Sequence, residues 1–545
     1  MSETQSPVPK RAALGALSWI PWFAVVGCVV AIAVIRSTAH ASDFAIANAL
    51  TALLILVSWL MLTLALSLSR LPRAWWRVVL LAPICCLLLF LSAYKFQRFD
   101  GELSPQFNWR WGNAGASTSM TSTVTSDERA IAPELLAPRW SDFPQYLGKN
   151  RDASLPQVSL DPDWKASPPR IAWKVDVGEA WSGFAVQGDV AVTMEQRGEQ
   201  EWVSAYSVLD GGLLWNAIIE SKHSNVMGGV GPRSTPTIAD NRVYATSAVS
   251  RLLCLELATG RELWAQELLD LAGVTQAEFE KEVAWGRSAS PLIVDDLVVI
   301  PLGGVGDQKH TLIAFDRLLG EERWRGGSDQ ISYASPALVE LSDQRQILLL
   351  SEKHLAGYDI DTGSQLWSTP WPGSSAGSAS VSQPVVVDPS HVLLSKGYGE
   401  GCQYLQVEHV DDSWTIDVLW TNRTSLKTKF TNCVVRDGYA YGLSDGILEC
   451  VRLEDGQKQW KKGRYRQGQL LLVSEYLLIT AESGELVLVQ ADRQGMEELD
   501  KVAVIGDVTW NTAALSGSRL LMRNAEEAAC VLLPLRASKS STENE

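Results

Sequence analysis

Motifs for metal binding and redox chemistry are missing from this sequence. Its six histidines include no pair at a spacing typical of metal ligands, and its eight cysteines include no C-x-x-C and no C-x-x-C-H. These absences exclude a sequence-encoded zinc site and a covalently attached c-type haem. No nucleophile elbow, Walker loop or dinucleotide fingerprint stands in the strand–turn–helix context that such a motif requires. The sequence therefore carries no standard enzyme signature.

Positive charge is also scarce, because the chain has 47 Lys and Arg against 62 Asp and Glu, a net charge of −15. Residues 1–100 hold eight basic and three acidic residues, a net charge of +5, which leaves −20 for the remainder. An acidic body of this size repels phosphate backbones. We therefore expect no nucleic-acid partner.

Long apolar runs, by contrast, fill the N-terminal part of the chain. Residues 15–35, 44–69 and 78–94 are each long enough to cross a hydrocarbon core of about 30 Å. Lys10 and Arg11 precede the first run, and three arginines crowd the second connection, which predicts a cytoplasmic N-terminus. We expect a multi-pass inner-membrane protein whose later domain lies in the periplasm. A lipoprotein start at Cys28 is a less favoured alternative, because apolar residues continue after it.

Composition predicts five segments. They are a cytoplasmic tail at 1–14, a three-helix membrane anchor at 15–95, a flexible linker at 96–142, a folded domain at 143–536 and a disordered tail at 537–545. The linker assignment depends on the Ser/Thr-rich stretch 117–126, which has no apolar periodicity.

A glycine followed four residues later by a tryptophan recurs through the folded domain. Five strict copies occur, Gly211/Trp215, Gly260/Trp264, Gly320/Trp324, Gly363/Trp367 and Gly456/Trp460. Trp173, Trp420 and Leu499 extend the series to eight, with spacings of 39 to 60 residues. This period suits one four-stranded propeller blade per copy. We interpret the glycines as turn residues, the tryptophans as packing between blades, and Cys254 and Cys450 as small core residues.

The two ends of the folded domain predict ring closure. Three strand-like runs follow residue 506, one short of a blade, and an orphan strand at residues 171–177 begins the domain. Pairing them completes an eighth blade and leaves no open edge. The predicted fold is thus all-β, an eight-bladed β-propeller of four-stranded blades preceded by three transmembrane helices.

Some copies match parts of a known signature, A-x-D-x-x-T-G-x-x-x-W. Ala314 and Asp316 with Trp324 fit it, as do Thr362 and Trp367. The repeats therefore resemble the pyrroloquinoline-quinone-type (PQQ-like) propeller family, and residues 143–148 and 231–244 are similar to membrane-anchored members of it. The family includes quinoprotein dehydrogenases and the non-enzymatic outer-membrane assembly lipoprotein BamB. The resemblance implies the fold and leaves the activity open.

We expect a non-enzymatic scaffold without a cofactor that binds protein partners in the cell envelope. The alternative implied by the resemblance is a membrane-bound oxidoreductase that uses PQQ with calcium. Many such enzymes place two adjacent cysteines against the quinone, but the one adjacent pair here, Cys85 and Cys86, lies in the third apolar run. No catalytic residue of those enzymes can be assigned in this chain.

A binding rim is predicted on the long connections between blades. One connection spans residues 220–233, and another spans 269–287 with a helix capped by Thr275. The rim residues are Trp181, Arg233, Trp285 and Arg287. The alternative is that these side chains only close the funnel of the propeller.

Overall fold

The computed structural model describes residues 19–38, 44–69, 72–111, 130–225 and 227–536. These residues form two compact units, Met1–Thr121 and Ser122–Glu545, which are considered in turn. The predicted tails at 1–14 and 537–545 and the Ser/Thr-rich stretch lie outside the described residues.

The first unit contains three helices, α1 (Ile20–Thr38), α2 (Phe44–Leu68) and α3 (Arg73–Ala93). All three are long and apolar enough to cross a membrane, as predicted. Most of their large apolar side chains are exposed, which is what a lipid-facing surface requires. Small side chains such as Ala45, Ala47 and Ala65 are buried, and small residues let membrane helices approach closely.

A proline inside α3 is compensated by the neighbouring helix. Pro83 has no N–H, so the carbonyl of Val79, four residues earlier, loses its helical partner. The indole Nε1 of Trp59 in α2 donates to that carbonyl at 2.8 Å. The kink-prone position is therefore also a point of attachment between two helices.

Both ends of the segment assigned to a linker have regular structure. Strands β1 (Tyr94–Phe99) and β2 (Pro105–Trp109) form an antiparallel hairpin directly after α3, and a short helix, α4, covers Pro133–Leu136. The hairpin has alternating aromatic residues, the pattern of a strand rather than of a linker.

The second unit is the predicted eight-bladed propeller of four-stranded antiparallel blades. Blades 1 to 4 consist of Ala185–Gln187, Val190–Arg197, Gln200–Ser207 and Leu213–Ile219; Thr237–Ala239, Arg242–Thr246, Arg251–Glu256 and Glu262–Glu267; Leu292–Val294, Leu297–Gly303, His310–Asp316 and Glu322–Gly326; Ala337–Leu341, Gln344–Leu350, His354–Tyr358 and Gln365–Pro370. Blades 5 to 8 consist of Val385–Asp388, His391–Lys396, Gly401–Val410 and Ser413–Asn422; Val434–Arg436, Tyr439–Ser444, Ile447–Arg452 and Lys458–Arg464; Gln469–Val473, Tyr476–Thr480, Glu485–Gln490 and Glu497–Ala503; Ala514–Ser516, Arg519–Arg523, Glu527–Leu532 and Arg170–Asp176.

Ring closure occurs as the sequence predicts. The strand Arg170–Asp176 pairs antiparallel with Glu527–Leu532, and Cys530 lies opposite Trp173 at the position where Cys254 and Cys450 face their own tryptophans. The three thiols are fully buried, which confirms that Cys254 and Cys450 are small core residues.

The glycine–tryptophan repeat joins neighbouring blades at five of the eight junctions. A Cβ atom at Gly211 would lie 2.8 Å from the ring of Trp173, and one at Gly456 would lie 2.6 Å from the ring of Trp420. The indole of Trp173 also donates to the carbonyl of Val208, three residues before Gly211. The glycine therefore provides both the positive φ of its turn and the space that the preceding blade's tryptophan occupies.

The tryptophans of blades 1 and 2 repeat this contact but differ in exposure. Trp215 Nε1 donates to a carbonyl three residues before Gly260 at 2.8 Å, and a Cβ at Gly260 would lie 2.5 Å from its ring. Trp264 Nε1 donates to a carbonyl three residues before Gly320 at 3.1 Å, and a Cβ at Gly320 would lie 2.7 Å from its ring. Trp215 is buried, whereas Trp264 is only partly buried. Packing between blades therefore covers the second indole less completely than the first.

Trp460, in blade 6, departs from the pattern because the glycine contact is missing. Its indole Nε1 donates to the carbonyl of Asp492, three residues before Gly495, at 2.9 Å. A Cβ at Gly495 would meet no atom within 4 Å, so this glycine does not receive the ring. Trp460 is only partly buried, and its ring centroid lies 6.1 Å from that of Tyr441 in its own blade. The packing of glycine on tryptophan is therefore absent at this junction, where the next copy has also lost its tryptophan to Leu499.

Another blade departs from this pattern because the copy around Trp420 lacks its glycine. Trp367, in the preceding blade, instead donates to Gln346 Oε1 of its own blade at 2.7 Å. The small residue opposite Trp367 is Gly357, and a Cβ atom added there would collide with both Trp367 and Gln346. Blade 5 thus lacks the repeat glycine, and the preceding blade 4 has a glycine opposite its own tryptophan instead.

A segment before the first blade fills one end of the central channel. This central plug, residues 143–155, pairs Phe143 with Val186 in blade 1 and Ser154 with Leu472 in blade 7. Between them the carbonyl of Pro144 accepts from Ile238 in blade 2, and Tyr146 Oη accepts from the Asn432 amide before blade 6. Thirteen residues thus connect blades on opposite sides of the ring.

Arg151 is the most buried charge of the central plug, with 5% of its surface exposed. Its guanidinium donates to the carbonyls of Ser290, Pro291 and Pro336, which precede the inner strands of blades 3 and 4. Burial lowers the pKa of Arg151 to about 9, so it stays charged at neutral pH. Neutral oxygen atoms thus solvate this cation: three backbone carbonyls, the amide oxygen of Gln145 and the hydroxyl of Thr237.

Candidate binding face

The two faces of the propeller differ in what covers the channel. One face carries the central plug, together with the turns between strands 1 and 2 and between strands 3 and 4 of each blade. The opposite side, here called the loop face, carries the connections between blades and the turns between strands 2 and 3. All four predicted rim residues come from these connections. Loops joining rigid strands are the usual location of binding residues in propellers.

Five aromatic side chains, each from a different connection between blades, form an arc on the loop face. This aromatic arc consists of Phe430, Trp510, Trp181, Trp285 and Tyr333. Ring centroids are 4.9 Å apart for Phe430 and Trp510, 4.6 Å for Trp510 and Trp181, and 5.3 Å for Trp285 and Tyr333. Phe430, Trp510 and Trp285 are only partly buried, so the arc presents aromatic surface to solvent.

A short hairpin closes the gap in the aromatic arc. Trp181 Nε1 and Arg233 Nη2 both donate to the carbonyl of Gly228, at 2.7 and 2.6 Å. A Cβ at Gly228 would lie 2.7 Å from Trp285, and one at Gly229 would lie 3.1 Å from Trp181. Three predicted rim residues therefore meet at one glycine pair, which only small residues can occupy.

Arg287, the fourth predicted rim residue, lies deeper in the protein, with 3% of its surface exposed. It donates to the carbonyls of Val249 and Leu302, and its guanidinium stacks 4.4 Å above the ring of Phe279. Phe279 belongs to the helix Gln276–Glu282, which begins at the predicted Thr275 cap. Burial lowers the pKa of Arg287 to about 9.

Titratable groups lie under the connection that precedes blade 2. Glu201 is fully buried and accepts from Ala248 N at 3.0 Å and Ser221 Oγ at 3.1 Å. Burial raises the pKa of Glu201 to about 7, and burial together with the charge of Arg233 lowers the pKa of His223 to about 4. A carboxyl that titrates near neutral pH and an uncharged imidazole therefore lie beneath this connection.

Sequence reasoning missed a ring of hydroxyl groups where the inner strands begin. Thr235 Oγ1 accepts from Gly183 N, Ser290 Oγ accepts from Thr235 N, and Ser335 Oγ accepts from Ser290 N, at 2.9 to 3.0 Å. Each of these hydroxyl residues precedes a proline, at 236, 291 and 336. A Ser/Thr-Pro dipeptide before the inner strands of blades 2, 3 and 4 was the available signal. These bonds satisfy backbone N–H groups that would otherwise be buried without a partner.

The described residues offer no calcium site of the kind that the quinone alternative implies. Calcium requires six to eight oxygen ligands, usually with several carboxylates. Among the described residues no group of three or more His, Cys, Asp or Glu side chains could hold a metal ion. The buried charged side chains near the channel include two arginines, Arg151 and Arg287, rather than a group of carboxylates. The cavity beside Arg287 has a volume of about 10 Å³, far too small for a quinone, and Thr246 Oγ1 and Arg287 Nη2, which line it, have no partner among the described residues.

The fold and its repeat define the class of protein. Eight four-stranded blades with a glycine–tryptophan repeat make the second unit a β-propeller similar to those of the PQQ-like type, and the same chain has three apolar helices. Residues 199–462 match the family model described as outer membrane protein assembly factor BamB.

The propeller is similar to BamB. It is 26% identical over 244 residues to BamB of Moranella endobia (strain PCIT), and the matched stretch covers 44% of this chain and 55% of that protein. The chain thus spans about half the length of this curated relative. The crystal structure of BamB from Moraxella catarrhalis, at 15% identity, covers 67% of this chain and 100% of its own, with a TM-score of 0.48. A quinohemoprotein alcohol dehydrogenase from Comamonas testosteroni, at 12% identity, covers 74% and 82%, also with a TM-score of 0.48.

Proposed function

We propose that this protein is a non-enzymatic binding propeller, anchored in the inner membrane and exposed to the periplasm, that captures a protein partner on its loop face. The observation that carries the proposal is the difference between the two ends of the channel. One end is filled by the central plug, whereas the other is bordered by the aromatic arc.

Three features of the loop face support protein binding. Partly buried tryptophans supply large contact areas at a low cost in side-chain entropy and are enriched at interfaces. Met227, at the tip of the hairpin that bridges the arc, has 46% of its surface exposed. The hairpin is held by Trp181, Arg233 and Trp285, so a partner would meet a preformed surface. Similarity to BamB, a named assembly factor, is consistent with this role.

Site-specific photo-crosslinking in native membranes tests the proposal. A photoreactive amino acid at Met227 or Tyr398, both exposed on the loop face, should yield one discrete adduct. The matched controls are Leu209 and Leu319, which are equally or more exposed on the plug face and should yield none. Combining Arg233→Gln with Trp285→Ala should abolish the adduct without lowering the melting temperature substantially.

Two results would overturn this assignment. Equal adducts from both faces would mean that capture does not depend on the aromatic arc. A quinone absorption band with dye-reducing activity, after addition of PQQ and calcium to the purified protein, would establish the oxidoreductase alternative instead.

A further inference from the structure

The hairpin that follows α3 is attached to the end of that helix. We call residues 94–111 the juxtamembrane hairpin. Arg110 N donates to the carbonyl of Ala93 at 2.8 Å, and Arg110 Nε donates to those of Leu91 and Tyr94 at 3.1 and 3.2 Å. Leu91 and Ala93 belong to the last turn of α3, where carbonyls have no helical partner. The end of the hairpin is therefore held at the level where the third span ends.

The turn of the juxtamembrane hairpin is attached to a second helix. Asn48 Nδ2, near the start of α2, donates to the carbonyl of Glu102 at 2.7 Å and to Ser104 Oγ at 3.1 Å. Successive spans alternate in direction, so the start of α2 and the end of α3 lie at the same membrane boundary. The hairpin therefore runs along this boundary and does not project away from it.

The aromatic side chains of the hairpin continue the lipid-facing surface of α3. Phe90, in the last turns of the helix, has its ring centroid 4.7 Å from that of Tyr94 and 4.8 Å from that of Phe107. Trp109 follows at 5.0 Å from Tyr94, and Trp111 at 5.5 Å from Trp109. Trp109 and Trp111 are 49% and 69% exposed. One aromatic surface thus extends from the span onto the hairpin.

We propose that the juxtamembrane hairpin lies in the bilayer interface, with Trp109 and Trp111 at the boundary between headgroups and acyl chains. Tryptophan and tyrosine rings prefer this depth because they have an apolar body and a polar tip. The exposed cations Lys95 and Arg110 would stand at the level of the lipid phosphates. The occupant of this aromatic surface is therefore lipid, because the surface is continuous with the membrane span itself. The hairpin would thereby fix the depth of the third helix.

Spin-label accessibility in the full-length protein tests this depth. The three cysteines of the spans are replaced by alanine, and the five propeller cysteines, at most 2% exposed, are left in place. A nitroxide is attached at Trp109→Cys or, as a control, at Leu209→Cys, since both positions have 49% exposure. Proteins are reconstituted into vesicles of phosphatidylcholine and phosphatidylglycerol.

The expected result is a several-fold higher ratio of oxygen to nickel-chelate collisions at residue 109 than at residue 209. A label at Trp111→Cys, which keeps Trp109, should give the same elevated ratio and covers the case in which the first variant fails to fold. Equal ratios at 109, 111 and 209 would overturn the proposal, because the hairpin would then lie in water. Low accessibility to both reagents would also overturn it, because the hairpin would then pack against protein.

Discussion

Replacing Arg151 with methionine tests whether the central plug stabilises the propeller ring. Methionine keeps the length of the apolar stem and removes every donor of the guanidinium. The carbonyls of Ser290 and Pro336 and the side-chain oxygen of Gln145 then lose their partner. Pro291 O and Thr237 Oγ1 each lose one bond but keep the hydrogen bond that joins them. Water does not replace these bonds, because Arg151 is only 5% exposed.

Two opposing contributions determine how much Arg151→Met changes the free energy of unfolding. Each of the two unsatisfied backbone carbonyls costs about 2 kcal/mol and each of the three other lost bonds about 1 kcal/mol, roughly 7 kcal/mol together. Removing the buried charge returns about 5 kcal/mol, the equivalent of lowering its pKa from 12.5 to about 9. The net destabilisation is about 2 kcal/mol. With an unfolding entropy of about 0.8 kcal/mol/K for roughly 400 residues, the melting temperature should fall by about 2 to 3 °C.

Differential scanning calorimetry at pH 7.5 provides the measurement. Arg345→Met is the matched control, because Arg345 is half exposed and pairs with Asp295 at the surface, where such pairs contribute about 0 to 1 kcal/mol. Arg151→Lys retains the charge with fewer donors and should fall between wild type and Arg151→Met. An Arg151→Met protein as stable as wild type, or more stable, would refute the assignment of the plug as a stabilising element.

Three further predictions concern the core of the propeller. Glu201→Gln should raise the melting temperature relative to wild type at pH 8 but not at pH 4.5. The folded pKa of Glu201, about 7, exceeds its ordinary 4.5, so the wild type is most stable below pH 4.5 and loses at most about 3 kcal/mol as pH rises through 7. Parallel pH profiles of the two proteins would contradict this. Gly357→Ala should destabilise by about 2 to 4 kcal/mol in chemical denaturation, because its Cβ would lie 2.8 Å from Trp367 Cε2 and displace Gln346, whereas Cys450→Ala at the equivalent position should cost less. Burial raises the pKa of the thiols of Cys254, Cys402, Cys433, Cys450 and Cys530, so none should react with a thiol reagent at pH 8 until denaturant is added; labelling of the native domain would disprove their burial.

The repeat predicted the fold because its glycine and tryptophan have the same physical role in most blades. At five of the eight junctions the glycine of one copy packs on the tryptophan of the preceding blade, so counting copies of the repeat amounts to counting blades. The plug was not predictable in this way, since Arg151 and its partners share no period and meet only across the ring. The hairpin left a signal that we did not use, the alternation of Tyr94 and Phe96 and of Phe107 and Trp109 around a polar turn. Of the candidate site, the connections were predictable, whereas the depth of Arg287 depends on neighbours distant in sequence.

The central plug also constrains the order in which the chain can fold during synthesis. Residue 151 is made early, but its partners extend to Pro336, and the plug as a whole pairs with blade 7 at Leu472. Blade 8 likewise holds a strand from residue 170 against one ending at residue 532. At about 5 to 20 residues per second, the early segments wait roughly 20 to 80 s for the last strand. A ribosome that stops before blade 8 would therefore release a chain with an open ring and an exposed strand edge, so loss of the last 30 residues should be as damaging as loss of the first blade.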